Sequence, residues 1–121
     1  KSGEYDYVET ELREVLTVFP SNILTKVIIE INCLTDEEML KACELVIASG
    51  ADFVKTGTGW VPAPLDLERI RKIKDFTRGK IKLKVAGGIR TKEDFLAMVD
   101  MGVERFGIGT KSALEIVQSF E

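Results

Sequence analysis

Apolar and polar positions along this chain switch between two periodicities, and the switches divide it into elements. From Glu4 to about Phe19, Val8, Leu12, Val15 and Leu16 fall at i, i+4, i+7 and i+8, which predicts an amphipathic helix closed by Pro20. Lys26-Val-Ile-Ile-Glu-Ile31 is a β-branched run and reads as a buried strand. Thr35-Asp36 caps a helix over 36–48 with Met39, Ala42, Cys43 and Val46 inward and Gly50 at its end. A strand over 52–56 and a loop rich in glycine and proline follow, then a helix over 66–76 with Leu67, Ile70, Ile73 and Phe76 inward. A strand over 81–85 runs into Ala86-Gly87-Gly88. Thr91, with Asp94 three residues on, opens a helix to about Met101. A strand over 105–108 and a helix over 111–119 complete the order α(βα)₄ in one domain spanning 1–121. Strands alternating with helices at this spacing predict an α/β fold with a parallel sheet.

That order fits either a doubly wound sheet or part of a (β/α)₈ barrel. An internal repeat favours the barrel. Residues 49–58 align without gaps on 101–110, pairing Gly50 with Gly102, Asp52 with Glu104, Gly57 with Gly109 and Thr58 with Thr110. The offset of 52 residues is two βα units, the period expected of a barrel built from pairs of units.

Composition narrows the chemistry. The 121 residues carry 17 Lys+Arg against 20 Asp+Glu, a net charge of −3, which argues against a nucleic-acid or anionic-membrane surface. No apolar run approaches the roughly 18–20 residues that span a bilayer, and the first residues do not resemble a signal peptide. Cys33 and Cys43 form neither a disulfide framework nor a zinc ligand set, so the expected setting is the reducing cytoplasm, with no metal. The chain has no His, which excludes Ser-His-Asp and Cys-His triads and leaves catalysis to Lys, carboxylates, Tyr, Cys or backbone dipoles. It begins with Lys1 rather than Met and reads as a fragment or processed piece.

The alternation within the strands sets lysines on the face opposite the helices. In Ile81-Lys-Leu-Lys-Val85 the apolar residues face the helices, which turns Lys82 and Lys84 into a barrel lumen. Lys55 shares a face with Phe53 at the carboxyl end of its strand, and Glu30 lies opposite Val27, Ile29 and Ile31. Glu30, Lys55 and Lys84 are therefore expected to converge at the lumen mouth, where barrel enzymes place their sites. A desolvated ammonium beside a second ammonium loses proton affinity, the condition for Schiff-base chemistry. The alternative is structural: a salt bridge such as Glu30–Lys82, or solvated lysines on an edge strand. Lys82, one step deeper, is assigned to Glu30 as a structural partner. Ala86-Gly87-Gly88 and Gly107-Ile-Gly109-Thr110 each lead into a helix and let backbone N–H groups approach an anion, so they are candidate phosphate loops. Arg90 either assists them or solvates a helix start. Trp60 either covers a substrate or packs on the rim. Cys33 and Cys43 read as structural.

Lys1-Ser-Gly-Glu-Tyr-Asp-Tyr-Val8, Lys26-Val-Ile-Ile-Glu30, Gly50-Ala-Asp-Phe-Val-Lys-Thr-Gly-Thr-Gly59 and Val85-Ala-Gly-Gly-Ile-Arg-Thr91 together resemble the deoxyribose-phosphate aldolase family through nearly the whole chain. The resemblance implies a class I aldolase on a (β/α)₈ barrel, without a cofactor, joining acetaldehyde to glyceraldehyde 3-phosphate. It implies Lys55 as the Schiff-base lysine and Lys84 as the second lysine that depresses its pKa. Thr58, Gly59, Gly87, Gly88, Gly107, Gly109 and Thr110 would line the sugar and phosphate site. Gly57 stands where the family usually has Ser, Gly109-Thr110 replaces a usual Ser-Ser pair, and Pro62-Ala-Pro64 replaces a more glycine-rich loop. The family's first four strands, including the one with the proton-transfer aspartate, would lie upstream of Lys1, so this chain resembles the carboxyl-terminal half of the barrel. Three readings stand: part of a lysine aldolase; an incomplete half-barrel that self-associates or pairs with the missing half; or a non-aldol phosphate-binding barrel using its lysines as clamps.

Overall fold

The computed structural model describes residues 2–120. The elements are α1 (Ser2–Thr17), β1 (Lys26–Ile28), a 3₁₀ turn (Ile31–Cys33), α2 (Asp36–Ser49), β2 (Phe53–Lys55), α3 (Leu67–Thr77), β3 (Lys82–Ala86), α4 (Lys92–Met101), β4 (Arg105–Gly107) and α5 (Thr110–Gln118). The strands form one parallel sheet in the order β1-β2-β3-β4. Consecutive strands are neighbours throughout, as in a stretch of barrel wall, whereas a doubly wound sheet reverses its order at a switch point.

Local signals set the helix boundaries. Thr35 closes a full capping box with Glu38 at the start of α2, and Gly50 ends that helix in the left-handed conformation at φ 86°. Asp66 and Thr91 accept the backbone N–H of Arg69 and Asp94 to start α3 and α4. The core lies between the sheet and the helices: Val54, Leu83 and Val85 pack with Met39, Cys43 and Val46 of α2, Ile70 and Ile73 of α3, and Met98 of α4. Burial pushes the Cys43 thiol up to about 11, so it behaves as a small apolar residue.

Three expectations need correction. The strands expected over 26–31 and 52–56 are regular only over Lys26–Ile28 and Phe53–Lys55, because Glu30 turns out of the extended conformation at φ 47°, ψ 68°. Val8 and Val15 do not face inward. They are exposed, while half-buried Leu12 and Leu16 lie on the inner side of α1, which packs on α2, and Lys41 of α2 covers the Tyr5 ring at 5.2 Å. Trp60 is 88% exposed and neither packs on the rim nor covers the cavity.

Register fixes the other face of the sheet. Lys26, Phe53 and Lys82 stand side by side, and one step further Ile28, Lys55, Lys84 and Arg105 do the same. Phe53 is 1% exposed although it points away from the helices. It is covered by Lys26, Lys82 and Arg105, whose charged ends lie 5.7, 5.8 and 4.9 Å from the ring centre.

Candidate active site

Lys55 and Lys84 are register partners on β2 and β3, with Arg105 next to Lys84 on β4. Burial, then the positive charges of Lys55, Lys26 and Arg105, holds the Lys84 ammonium below the usual lysine pKa. Among the described residues no carboxylate forms a salt bridge with any of these four cations. The acids of neighbouring segments are engaged elsewhere: Asp52 accepts from Thr25 N and Oγ1, and Glu104 binds Lys74 and the Leu83 N–H on the helix side.

At Lys55 opens a cavity of about 620 Å³. Of the residues singled out in the sequence, Lys55, Thr58, Gly59, Gly87, Gly88, Gly107 and Gly109 line it; Thr110 does not, and neither does Lys84, which stands beside Lys55 on β3. Lys111 and Ser112 of the first turn of α5 are there instead, with Arg90 and Glu115. Lys111, Ser112 and Glu115 were missed because only helical phase, invisible in a Gly-Thr motif, decides which first-turn residue faces inward. Gly107 avoids a tight approach: a Cβ there would lie 3.0 Å from the Ala86 Cβ, while the Lys84 Cε, at 3.7 Å, would be at ordinary contact distance. Gly109, the N-cap of α5, makes no side-chain cap, and the first backbone N–H groups of the helix have no side-chain cap partner. The surroundings are thus cationic and rich in N–H donors, suited to an anionic substrate with a carbonyl group.

Glu30 does reach this region, but not to pair with Lys82. Its Oε2 accepts the backbone N–H and the hydroxyl of Thr58, both at 2.9 Å. The expected Glu30–Lys82 bridge fails because Glu30 lies beyond the end of β1, at the carboxyl edge of the sheet, whereas Lys82 opens β3 at the other edge. The Thr58 hydroxyl spends its proton on Glu30 and accepts from Trp60 N at 3.1 Å, so it is a strut of the cavity wall and has no O–H left to donate.

The profile of the DeoC/LacD family aldolases matches residues 24–119. The chain belongs to the DeoC/LacD aldolase family. It is 44% identical over 120 residues to a deoxyribose-phosphate aldolase of Aquifex aeolicus, covering 99% of this chain and 53% of that protein. A solved structure described as QR15, an aldolase, superposes with a TM-score of 0.83 at 43% identity, covering 98% of this chain and 52% of the other. The tetrameric deoxyribose phosphate aldolase of Aeropyrum pernix superposes at 0.80 with 26% identity, over 96% of this chain and 50% of that one. The chain therefore spans about half the length of the relatives it matches, and its α/β fold is about half of an aldolase (β/α)₈ barrel. Among the described residues no helix is long and apolar enough to cross a membrane.

Proposed function

We propose that this chain supplies the Schiff-base lysine, its lysine neighbour and the phosphate-binding loops of a class I aldolase that cleaves 2-deoxy-D-ribose 5-phosphate to acetaldehyde and glyceraldehyde 3-phosphate. The observation that carries this reading is the register pairing of Lys84 with Lys55, which lines a glycine-walled cavity closed on one side by the first turn of α5. The Lys55 amine adds to the sugar aldehyde, and the carbinolamine loses water to give an iminium ion. The iminium accepts the electron pair of the breaking C2–C3 bond as the C3 hydroxyl gives up its proton, which releases glyceraldehyde 3-phosphate and leaves an enamine. Protonation at C2 and hydrolysis then free acetaldehyde and the lysine. Lys84, with its lowered proton affinity, takes and returns protons at the nitrogen end. An acid from the half of the barrel outside this sequence completes the transfer at C2. The phosphate sits against Gly107, Gly109 and the start of α5, with Lys111 neutralising it.

The setting is the cytoplasm, in keeping with free Cys33 and Cys43. The partners are the phosphosugar and a second barrel half or second copy covering the open face. Borohydride reduction in the presence of acetaldehyde is expected to leave an ethyl group on Lys55, read by peptide mass spectrometry. Lys55→Arg, which keeps the charge but cannot form the imine, abolishes the adduct. An unmodified Lys55 in the native chain refutes the mechanism. Turnover that survives Lys55→Arg would favour the clamp-type phosphate barrel.

A further inference from the structure

Glu30 combines three observations. It is the non-glycine residue with positive φ among the described residues, at φ 47°. Its Oε1 is buried with no hydrogen-bond partner among them. Its Oε2 holds both the N–H and the O–H of Thr58, 28 residues away. A left-handed conformation at a residue with a Cβ costs energy and persists where neighbours over-determine it. Here Arg69 of α3 does so. It donates to Ile31 O and Leu34 O, each at 2.8 Å, and its Nε bonds Asp36 at 2.9 Å, so the turn after Glu30 is clamped from the helix layer. Ile31 N also donates to Thr56 O at 2.8 Å, tying the turn to the loop it serves.

The strained turn aims the carboxylate at the segment between Lys55 and Gly59. A Cβ on Gly57 would lie 3.2 Å from the orphaned Oε1, so glycine at 57 leaves room for the carboxylate to reach Thr58. Gly59, next to the anchored Thr58, lies against Gly87: a Cβ on Gly87 would stand 3.5 Å from the Gly59 Cα. The chain of contact therefore runs from the Arg69 clamp through Glu30 and Thr58 to the Gly59–Gly87 wall of the cavity.

We infer that Glu30 is a positioning residue of this site, setting the cavity wall for the sugar phosphate through Thr58 without touching the reacting atoms. The inference rests on the aldolase reading for its kinetic test and on geometry alone for its structural one. Hydrogen–deuterium exchange on the native chain, Glu30→Ala, Glu30→Gln and Thr58→Val reads the anchor directly. Glu30→Ala speeds exchange of the Thr58 amide by about tenfold relative to Lys84, and Glu30→Gln, which keeps an acceptor oxygen, restores most of the protection. Borohydride trapping with 2-deoxyribose 5-phosphate at increasing concentration reads the consequence. Glu30→Ala and Thr58→Val raise the half-saturating concentration by about tenfold with a smaller effect on the maximal trapping rate, and Glu30→Gln recovers affinity. Equal Thr58 exchange in native chain and Glu30→Ala overturns the inference whatever the chemistry. So does unchanged half-saturation in Thr58→Val, the variant that keeps shape if Glu30→Ala fails to fold. A native chain that is never trapped sinks the aldolase reading, and the exchange comparison still decides Glu30.

Discussion

Lys84 lies among positive charges with which no carboxylate forms a salt bridge among the described residues, and its titration should register in stability. Its proton affinity is lowered in the folded chain, so the unfolded chain holds that proton to higher pH, and between the two titrations stability rises with pH. Cys43 works in the opposite sense above its ordinary value of 9.0, since the buried thiol at about 11 keeps a proton that the unfolded chain loses. The expected result is a urea midpoint that climbs with pH on the alkaline side, below the ordinary lysine value of 10.5, in the native chain and climbs less in Lys84→Met. Equal slopes would mean that Lys84 is not perturbed. The alternation Ile81, Leu83, Val85 already showed which way Lys84 points, because strand period is a local property. The role of Glu30 was not legible in that way. Its neighbours Val27, Ile29 and Ile31 argue for a strand, and the turn that breaks it is held by Thr58 and Arg69, both distant in sequence.

At the scale of elements, the joint between α3 and β4 rests on a buried ion pair. The Lys74 side chain is 4% exposed and meets Glu104, whose other oxygen accepts the Leu83 N–H at 2.7 Å. Removing the acid leaves a buried ammonium and an unpaired backbone donor. Glu104→Ala is therefore expected to lower the unfolding free energy by about 3–5 kcal/mol in urea titration. A loss below about 1 kcal/mol would show that Lys74 escapes to solvent. Asp36, joined to Arg69 and Lys72 on the surface, should matter less despite making two ion pairs. Helix starts were readable from Thr35 and Thr91, since capping is decided within three residues. The inner face of α1 was not, because Val8 and Leu12 satisfy the same period and only the position of α2 chooses between them.

For the whole molecule, both flanks of the sheet leave apolar surface uncovered. Val8, Val15 and Val18 are exposed at the α1 side, and Leu114, Val117 and Phe120 at the α5 side. The outer backbones of β1 and β4 have no strand partner among the described residues. Such surface favours association. Sedimentation of the chain alone is expected to give species larger than a monomer, and Leu114→Glu with Val117→Glu should shift it toward monomer. A compact monomer before substitution would show that the flanks are satisfied without a partner. The half-barrel architecture was legible because the strand–helix alternation and the 52-residue repeat are carried by sequence. The occupant of the open face was not, since strand alternation and helix phase show which surface is uncovered and not what covers it.

The repeat also reaches into the bonding. Asp52 at the entrance to β2 accepts the N–H of Thr25 beside β1, and its counterpart Glu104 at the entrance to β4 accepts the N–H of Leu83 on β3. Each acid thus locks its own strand to the one before it within a pair. The second lock is braced from outside: Lys74 of α3 holds the free oxygen of Glu104, so the first pair of units steadies the fastening of the second. A copied pair carries its strand alignment with it, and the brace that keeps its acid in place is supplied by whichever pair precedes it.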